Sequence, residues 1–408
     1  MEDPPFLSND QILRYGRHLI LPAIGMDVQR RICNSSVLVV GAGGLGSPVL
    51  QYLAGAGVGR IGIIDADEVD ISNLHRQVIH SESEVSNPKV DSARDSCLAI
   101  NSSIIVETFN ERFSRSNAIE LVQNYDLVAD CTDNVSSRYL INDIAVMCGK
   151  PDVSGGAIGT EGQLTVYNYK GGPCYRCLHP KPPPPETVSN CSDNGVLGVV
   201  PGIIGSLQAM EILKIVGQFG EPLSAKLLIF DGLSCSFRSM RLRSRSPTCD
   251  VCGDKPTIPN VLTDPTADLI DYNEFCGSCH VELDAKDCPS VSCEEYKSIV
   301  DQGDEHVLLD VRELVQYEIC SLPNSINIPF AQMKERIGEV FKEIGQTDID
   351  PLFGKPVQPV PVYLICRRGI DSLSAARLLL SKDAKNVINI RGGLLQWHRT
   401  IDSEFPLY

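Results

Sequence analysis

The sequence predicts an α/β protein built as two units in series, and three observations carry that expectation. Strand-like and helix-like segments alternate from Val37 to about Pro151, the pattern of a parallel sheet with helices on its faces. The apolar strand Val37-Leu38-Val39-Val40 runs directly into Gly41-Ala42-Gly43-Gly44-Leu45-Gly46, a glycine-rich turn that opens a helix. Far downstream, Val362-Tyr363-Leu364-Ile365 runs into the loop Cys366-Arg367-Arg368-Gly369-Ile370-Asp371-Ser372, which again leads into an apolar helix. At 408 residues and 43% apolar content, the chain has enough material for two hydrophobic cores.

Taken in order, Ser8-Asn9-Asp10-Gln11 reads as a capping box that opens a first helix through about Leu21. Strands are predicted near 37–40, 61–64, 104–108, 126–129 and 151–154, where short apolar runs end in turn residues. Helices near 45–57, 88–100, 116–124 and 135–148 fill the intervals. After Gly155 the texture changes to a hairpin-like strand, Gln163-Leu164-Thr165-Val166-Tyr167, then cysteine pairs, a proline run and one apolar helix near 199–217. Residues 256–305 hold 12 Asp/Glu against 2 Lys/Arg among scattered Pro, Gly and Ser, which reads as an acidic linker with little fixed structure. A second α/β unit opens at His306-Val307-Leu308-Leu309-Asp310. The expected organisation is therefore 1–255, a linker over 256–305, and 306–408.

The formal net charge of −16 argues against nucleic acid as a direct partner. No signal peptide and no apolar run long enough to span a bilayer are recognised, so no membrane is expected. The 16 cysteines then read as residues for metal binding and chemistry in a reducing cytosol.

Gly41, Gly43 and Gly46 have the spacing of a nucleotide loop, and Asp65 follows 19 residues after Gly46 at the end of Ile61-Gly62-Ile63-Ile64, where a ribose hydroxyl would be bound. A triphosphate with Mg²⁺ needs cations and a carboxylate on the metal, whereas a dinucleotide needs few cations. Arg76, Lys89 and Asp133 meet the first requirement, so ATP is favoured over a nicotinamide cofactor.

Arg14-Tyr15-Gly16-Arg17, the glycine loop, Ile64-Asp65-Ala66-Asp67, Ser72-Asn73-Leu74-His75-Arg76-Gln77 and Asp130-Cys131-Thr132-Asp133-Asn134 together resemble the adenylating family of ubiquitin-activating-like enzymes, in the branch of the thiamin and molybdopterin-synthase adenylyltransferases. The resemblance implies a Rossmann-like adenylating domain in which ATP activates the C-terminal glycine carboxylate of a ubiquitin-fold protein. It implies that Gly44, Asp65, Ser72, Asn73, Leu74, His75, Arg76, Lys89, Asp133 and Asn134 contact the nucleotide, with Asp133 nearest Mg²⁺. It also implies that Arg17 comes from the opposite subunit of a homodimer.

Three C-x-x-C pairs occur: Cys174/Cys177, Cys249/Cys252 and Cys276/Cys279. Two such pairs can close a tetrahedral, structural zinc site with four cysteine ligands, and Gly253 suits a tight knuckle after Cys252. The resemblance pairs Cys249/Cys252 with Cys174/Cys177, leaving Cys276/Cys279 as free thiols. Between the knuckles, the run Pro182-Pro183-Pro184-Pro185 precedes Cys191, an expected exposed thiol and candidate nucleophile. The resemblance implies that Cys191 forms a thioester or mixed disulfide with the activated protein.

Asp310-Val311-Arg312, Leu322-Pro323-Asn324, the Cys366 loop and Arg391-Gly392-Gly393-Leu394 ahead of Trp397 resemble a single rhodanese domain. Loop amides and a helix N-terminus converging on Cys366 are expected to lower its thiol pKa and hold a persulfide. Joined, the two resemblances imply adenylation followed by sulfur transfer from a Cys366 persulfide, with Cys191 as a second thiol, and the linker letting the persulfide travel. They imply two ubiquitin-fold substrates, the molybdopterin synthase small subunit and a ubiquitin-related modifier for tRNA 2-thiolation, with a cysteine desulfurase as sulfur donor. The sequence leaves two alternatives: an activating enzyme ending at a Cys191 thioester, and an NAD-dependent oxidoreductase fused to a sulfur carrier.

Overall fold

The computed structural model describes residues 7–183, 195–264, 268–277, 288–344 and 360–408. The chain divides into two compact units, Met1–Cys279 and His280–Tyr408.

The first unit is built on an eight-stranded sheet: β1 (Ser36–Val40), β2 (Arg60–Ile64), β3 (Ile105–Phe109), β4 (Leu127–Asp130), β5 (Asp152–Ile158), β6 (Glu161–Tyr167), β7 (Lys226–Asp231) and β8 (Ser236–Arg241). The order is β3-β2-β1-β4-β5-β6-β7-β8, parallel as far as β5 and antiparallel from β5 to β8. The strand order reverses beside β1, whose neighbours are β2 and β4. A crevice therefore opens at the carboxyl ends of β1 and β4, where ligands of open α/β sheets bind. One face is covered by the helices Gly46–Ala56, Lys89–Ile100 and Val199–Gly217, and the other by Ala118–Gln123 and Val135–Met147.

Helix Val199–Gly217 corrects one sequence expectation, because its 19 residues and mean hydropathy of 1.5 are enough by length and composition to cross a bilayer. It packs on β5, β6 and helix Gly46–Ala56, and it carries the buried polar residues Gln208 and Glu211. Gln208 Nε2 donates to the carbonyls of Asp130 and Val153, tying the helix to the carboxyl end of β4.

The second unit holds a five-stranded parallel sheet made of β9 (Ser290–Val291), β10 (Val307–Asp310), β11 (Ser325–Asn327), β12 (Val362–Ile365) and β13 (Val387–Ile390), in the order β11-β10-β12-β13-β9. Helix Ile370–Leu380 follows β12 directly after the Cys366 loop.

The reading of 256–305 as a linker with little fixed structure is corrected at both of its ends. Helix Tyr272–Phe275 belongs to the first core, where the Tyr272 hydroxyl donates to Asp143 at 3.0 Å. Strand β9 and helix Cys293–Gln302 belong to the second sheet. Part of the acidity is local: Glu294 and Glu295 occupy the first turn of that helix, Glu295 closes a capping box with Ser292, and Cys293 and Tyr296 are buried.

Candidate functional site

The glycine loop is shaped by close backbone approach. Gly41 has φ 100°, and a Cβ there would sit 2.9 Å from the Cys131 carbonyl oxygen. A Cβ on Gly46 would lie 2.1 Å from the Gly41 carbonyl oxygen, so neither position tolerates a side chain. The Gly41–Cys131 contact also packs the loop against the segment Asp130–Asn134 at the end of β4.

Asp65 sits at the carboxyl end of β2 and closes the loop. One of its oxygens accepts the Ala42 N–H at 2.8 Å and the other the Asp67 N–H at 2.9 Å. Lys89, 4% exposed, heads helix Lys89–Ile100 and reaches Asp67 at 2.8 Å. His80 accompanies them unforeseen, with Nε2 at 2.9 Å from the Ala42 carbonyl and Nδ1 at 2.7 Å from Ser92 Oγ. Burial holds its pKa below the usual imidazole value.

The run Ser72 to Arg76 begins within a 3-10 turn, Ile71–Asn73, capped by Asp70, and continues through the turn that follows. Arg76 donates to Asn73 Oδ1 at 2.7 Å and lies 2.7 Å from His75 Nε2, while burial, aided by Arg76, lowers the His75 pKa and favours the acceptor form of that nitrogen. Leu74 and Asn73 are half-buried; Ser72 is exposed. Added to Gly44, a Cβ would meet Pro201 at 3.2 Å and Arg76 Cγ at 3.5 Å, so Gly44, Arg76 and the start of helix Val199–Gly217 are in one place. Gln77, beside Gly43, has a buried Oε1 with no hydrogen-bond partner among the described residues, and a ligand donor at the loop would satisfy it. Pro201 was missed because nothing in its local spacing distinguishes it, and Gln77 was read only as the end of the motif Ser72 to Gln77, with no role assigned.

At the end of β4, Asp133 is exposed and Asn134 caps helix Val135–Met147 by accepting the Ser137 N–H at 2.9 Å. Behind them, Asp130 accepts from the Thr132 amide and hydroxyl and from Ser154 Oγ, while Arg138 donates to the carbonyls of Thr132 and Gly155. This network fixes the loop that carries Asp133. The exposed carboxylate of Asp133 suits a hydrated Mg²⁺, which keeps several waters and takes one or two carboxylates.

Arg17 is not brought to this site within one chain. Its neighbour Tyr15 receives a hydrogen bond from Asn101 and abuts Gly57, and His18 pairs with Gln29, which donates to the Ala56 carbonyl. All these contacts lie at the far end of helix Gly46–Ala56. An 11-residue helix is about 16 Å long, which separates them from the glycine loop at its start.

The four predicted zinc ligands do converge. The sulfurs of Cys174, Cys177, Cys249 and Cys252 lie within 4.8 Å of one another, with Cys174–Cys249 at 3.6 Å and Cys177–Cys252 at 3.3 Å. Tetrahedral zinc with Zn–S bonds of about 2.3 Å places its sulfurs about 3.8 Å apart, so the set fits the metal. Next to the knuckle, Arg176 forms a fully buried bidentate pair with Asp143, stacked on Tyr139 and Phe275. Cys276 is buried in the adjacent core, whereas Cys279 and Cys191 lie outside the described residues.

In the second unit Cys366 directly follows β12 and is 1% exposed. Its sulfur receives the Gly369 N–H at 3.1 Å and the Ser372 hydroxyl at 3.4 Å. Gly392 and Gly393 let the loop after β13 press close, since a Cβ on Gly393 would sit 2.3 Å from the Cys366 carbonyl oxygen. The expected lowering of the thiol pKa is corrected: burial pushes the Cys366 thiol up, Asp371 adds to this, and Ser372 with the loop amides only partly offsets them.

A nucleotide crevice and a cysteine knuckle in one unit, with a sulfur-holding loop in the other, define an adenylating enzyme joined to a sulfur-transfer domain. The chain belongs to the ThiF family, which it matches over residues 15–251, and a rhodanese-like domain follows over 292–400. It is 48% identical to the Danio rerio protein named adenylyltransferase and sulfurtransferase MOCS3, over 98% of this chain and 88% of that one. The Arabidopsis thaliana protein of the same name is 46% identical over 98% of this chain and 86% of its own. Among solved structures, E. coli MccB with ATP aligns with a TM-score of 0.50 at 25% identity, covering 56% of this chain and 69% of that one. PaaA aligns equally well, over 58% of this chain and 75% of its own. The chain is an enzyme of both kinds, adenylyltransferase and sulfurtransferase, and the oxidoreductase alternative falls away.

Proposed function

We propose that the enzyme activates the C-terminal glycine of a ubiquitin-fold sulfur carrier with Mg-ATP and converts it to a thiocarboxylate. The observation that carries this reading is the presence on one chain of an adenylating crevice and a buried, hydrogen-bonded sulfur loop.

A carrier carboxylate oxygen attacks the α-phosphorus and pyrophosphate leaves. Arg76 and Lys89 offset the charge that builds at phosphorus, Asp133 holds Mg²⁺, Asp65 takes the ribose, and Gly44, Ser72, Asn73, Leu74, His75 and Asn134 complete the nucleotide contacts. Arg17 is supplied by the second subunit of a homodimer, a role that suits its distance from the glycine loop of its own chain. The terminal sulfur of a Cys366 persulfide then attacks the acyl carbon and AMP leaves, giving an acyl disulfide on Cys366. A second thiol, assigned to Cys191, attacks the Cys366 sulfur, releases the thiocarboxylate and forms a disulfide that a cellular dithiol resets.

The substrates we assign are the molybdopterin synthase small subunit and a ubiquitin-related modifier for tRNA 2-thiolation, with a cysteine desulfurase as sulfur source in the cytosol. The domain roles are adenylation with zinc in the first unit and sulfur carriage in the second. The test is carrier-dependent pyrophosphate exchange alongside thiocarboxylate formation. Exchange with no thiocarboxylate, and with Cys366→Ala equal to wild type, would favour an activating enzyme that ends at a Cys191 thioester.

A further inference from the structure

In the second unit, an aromatic side chain outside the Cys366 loop holds one of the loop's arginines. Arg312 follows β10, the strand next to β12, and forms a buried bidentate pair with Asp310. A remaining Arg312 N–H donates to the Tyr408 hydroxyl at 2.6 Å. The Tyr408 ring centroid lies 5.8 Å from the Arg312 guanidinium carbon and 5.2 Å from that of Arg367, and Arg367 also donates to the Tyr408 carbonyl. The stretch leading to Tyr408 is itself tied down: the Phe405 carbonyl lies 2.8 Å from His398 Nδ1, and the Pro406 carbonyl accepts from Cys320 Sγ.

We propose that Tyr408 is a positioning residue for sulfur transfer: anchored on Arg312, it fixes the Arg367 guanidinium beside the Cys366 loop and so sets the loop's affinity for anionic sulfur donors. A guanidinium stacked on a ring and bonded to a carbonyl has lost rotamer freedom that an unanchored arginine keeps. Its charge therefore stays fixed on the Cys366 loop, where Asp371 otherwise biases the field against anions. The inference rests on Cys366 being the sulfur-bearing residue.

Thiosulfate with dithiothreitol as acceptor is the probe, measured on the full-length enzyme. The outer sulfur of thiosulfate bonds to the Cys366 thiolate, the S–S bond breaks, and sulfite leaves with its electron pair, so two negative charges must reach the loop. Tyr408→Leu, which keeps apolar bulk but removes the ring and hydroxyl, should raise KM for thiosulfate about fivefold while kcat stays within about twofold. Tyr408→Phe keeps the ring under Arg367 and should leave KM within about twofold of wild type. Arg367→Ala should raise KM as Tyr408→Leu does, and the double variant should be no worse than either single, because both remove one interaction. An unchanged KM in Tyr408→Leu or Arg367→Ala, an equal fall in kcat with KM constant, or additive losses in the double variant would each overturn the proposal. Cys366→Ala is the control: if it still transfers sulfur from thiosulfate, the assignment of Cys366 itself fails, an outcome distinct from failure of Tyr408.

Discussion

Asp65→Ala tests how the nucleotide crevice is held together. In the folded chain the Asp65 carboxylate spends one oxygen on the Ala42 N–H at 2.8 Å and the other on the Asp67 N–H at 2.9 Å. Hydrogen bonds to a charged group are worth about 1.5–3 kcal/mol each. The two losses are unequal, because Asp67 is exposed and its amide can turn to water, whereas Ala42 is fully buried. Stranding the Ala42 N–H costs about 1–3 kcal/mol, and that cost falls on the loop that must receive phosphate. Adding the loss of the ribose acceptor we propose for Asp65, the adenylation rate should drop by about two to three orders of magnitude, as for other preorganised polar contacts. The assay is carrier-dependent ATP–pyrophosphate exchange, run beside thermal unfolding. Asp65→Asn should fall between wild type and Asp65→Ala, since its amide keeps one accepting oxygen but sets an NH₂ against an N–H. Exchange within about threefold of wild type in Asp65→Ala, with an unchanged melting curve, would refute this reasoning.

Two further predictions concern the sulfurs. Purified enzyme should carry about one zinc per chain by atomic emission, and Cys249→Ser should lose it and melt lower, while alkylation of Cys366 stays as in wild type. Because burial raises the Cys366 thiol above the usual cysteine value of about 8.5, its reactive thiolate is scarce at neutral pH. The rate of Cys366 alkylation should therefore climb about tenfold per pH unit through pH 8, and Ser372→Ala should move the midpoint further up; a plateau below pH 8 would contradict the burial argument.

Much of the molecule was legible where structure is set locally. The strands at 37–40, 61–64 and 126–129 and the helix at 199–217 lie within a residue of their observed bounds, because β-branched runs, glycine turns and apolar periods are short-range signals. The glycine loop, Asp65 and the Cys366 loop were readable for the same reason, each being one strand end and its turn. Long-range assembly was not. Gly44 meets Pro201 only because helix Val199–Gly217 lies against the sheet, and Asp130 finds Ser154 only because β4 pairs with β5. The stretch 256–305 misled because Glu294 and Glu295 count as linker acidity in composition, yet they stand in the first turn of a helix whose Cys293 and Tyr296 are buried. The pKa of Cys366 was misjudged because amide donors are visible in a loop sequence, whereas burial depends on the Gly392-Gly393 turn pressing in from β13.

The most direct test is the intact mass of a diglycine-ended ubiquitin-fold carrier after incubation with Mg-ATP, a persulfide donor and either wild-type enzyme or Cys366→Ala. Replacement of the carboxyl oxygen by sulfur adds about 16 Da, and this gain is expected with wild type only, while Cys366→Ala still forms AMP. The same gain with Cys366→Ala, or none with wild type, would contradict the transfer of sulfur through Cys366.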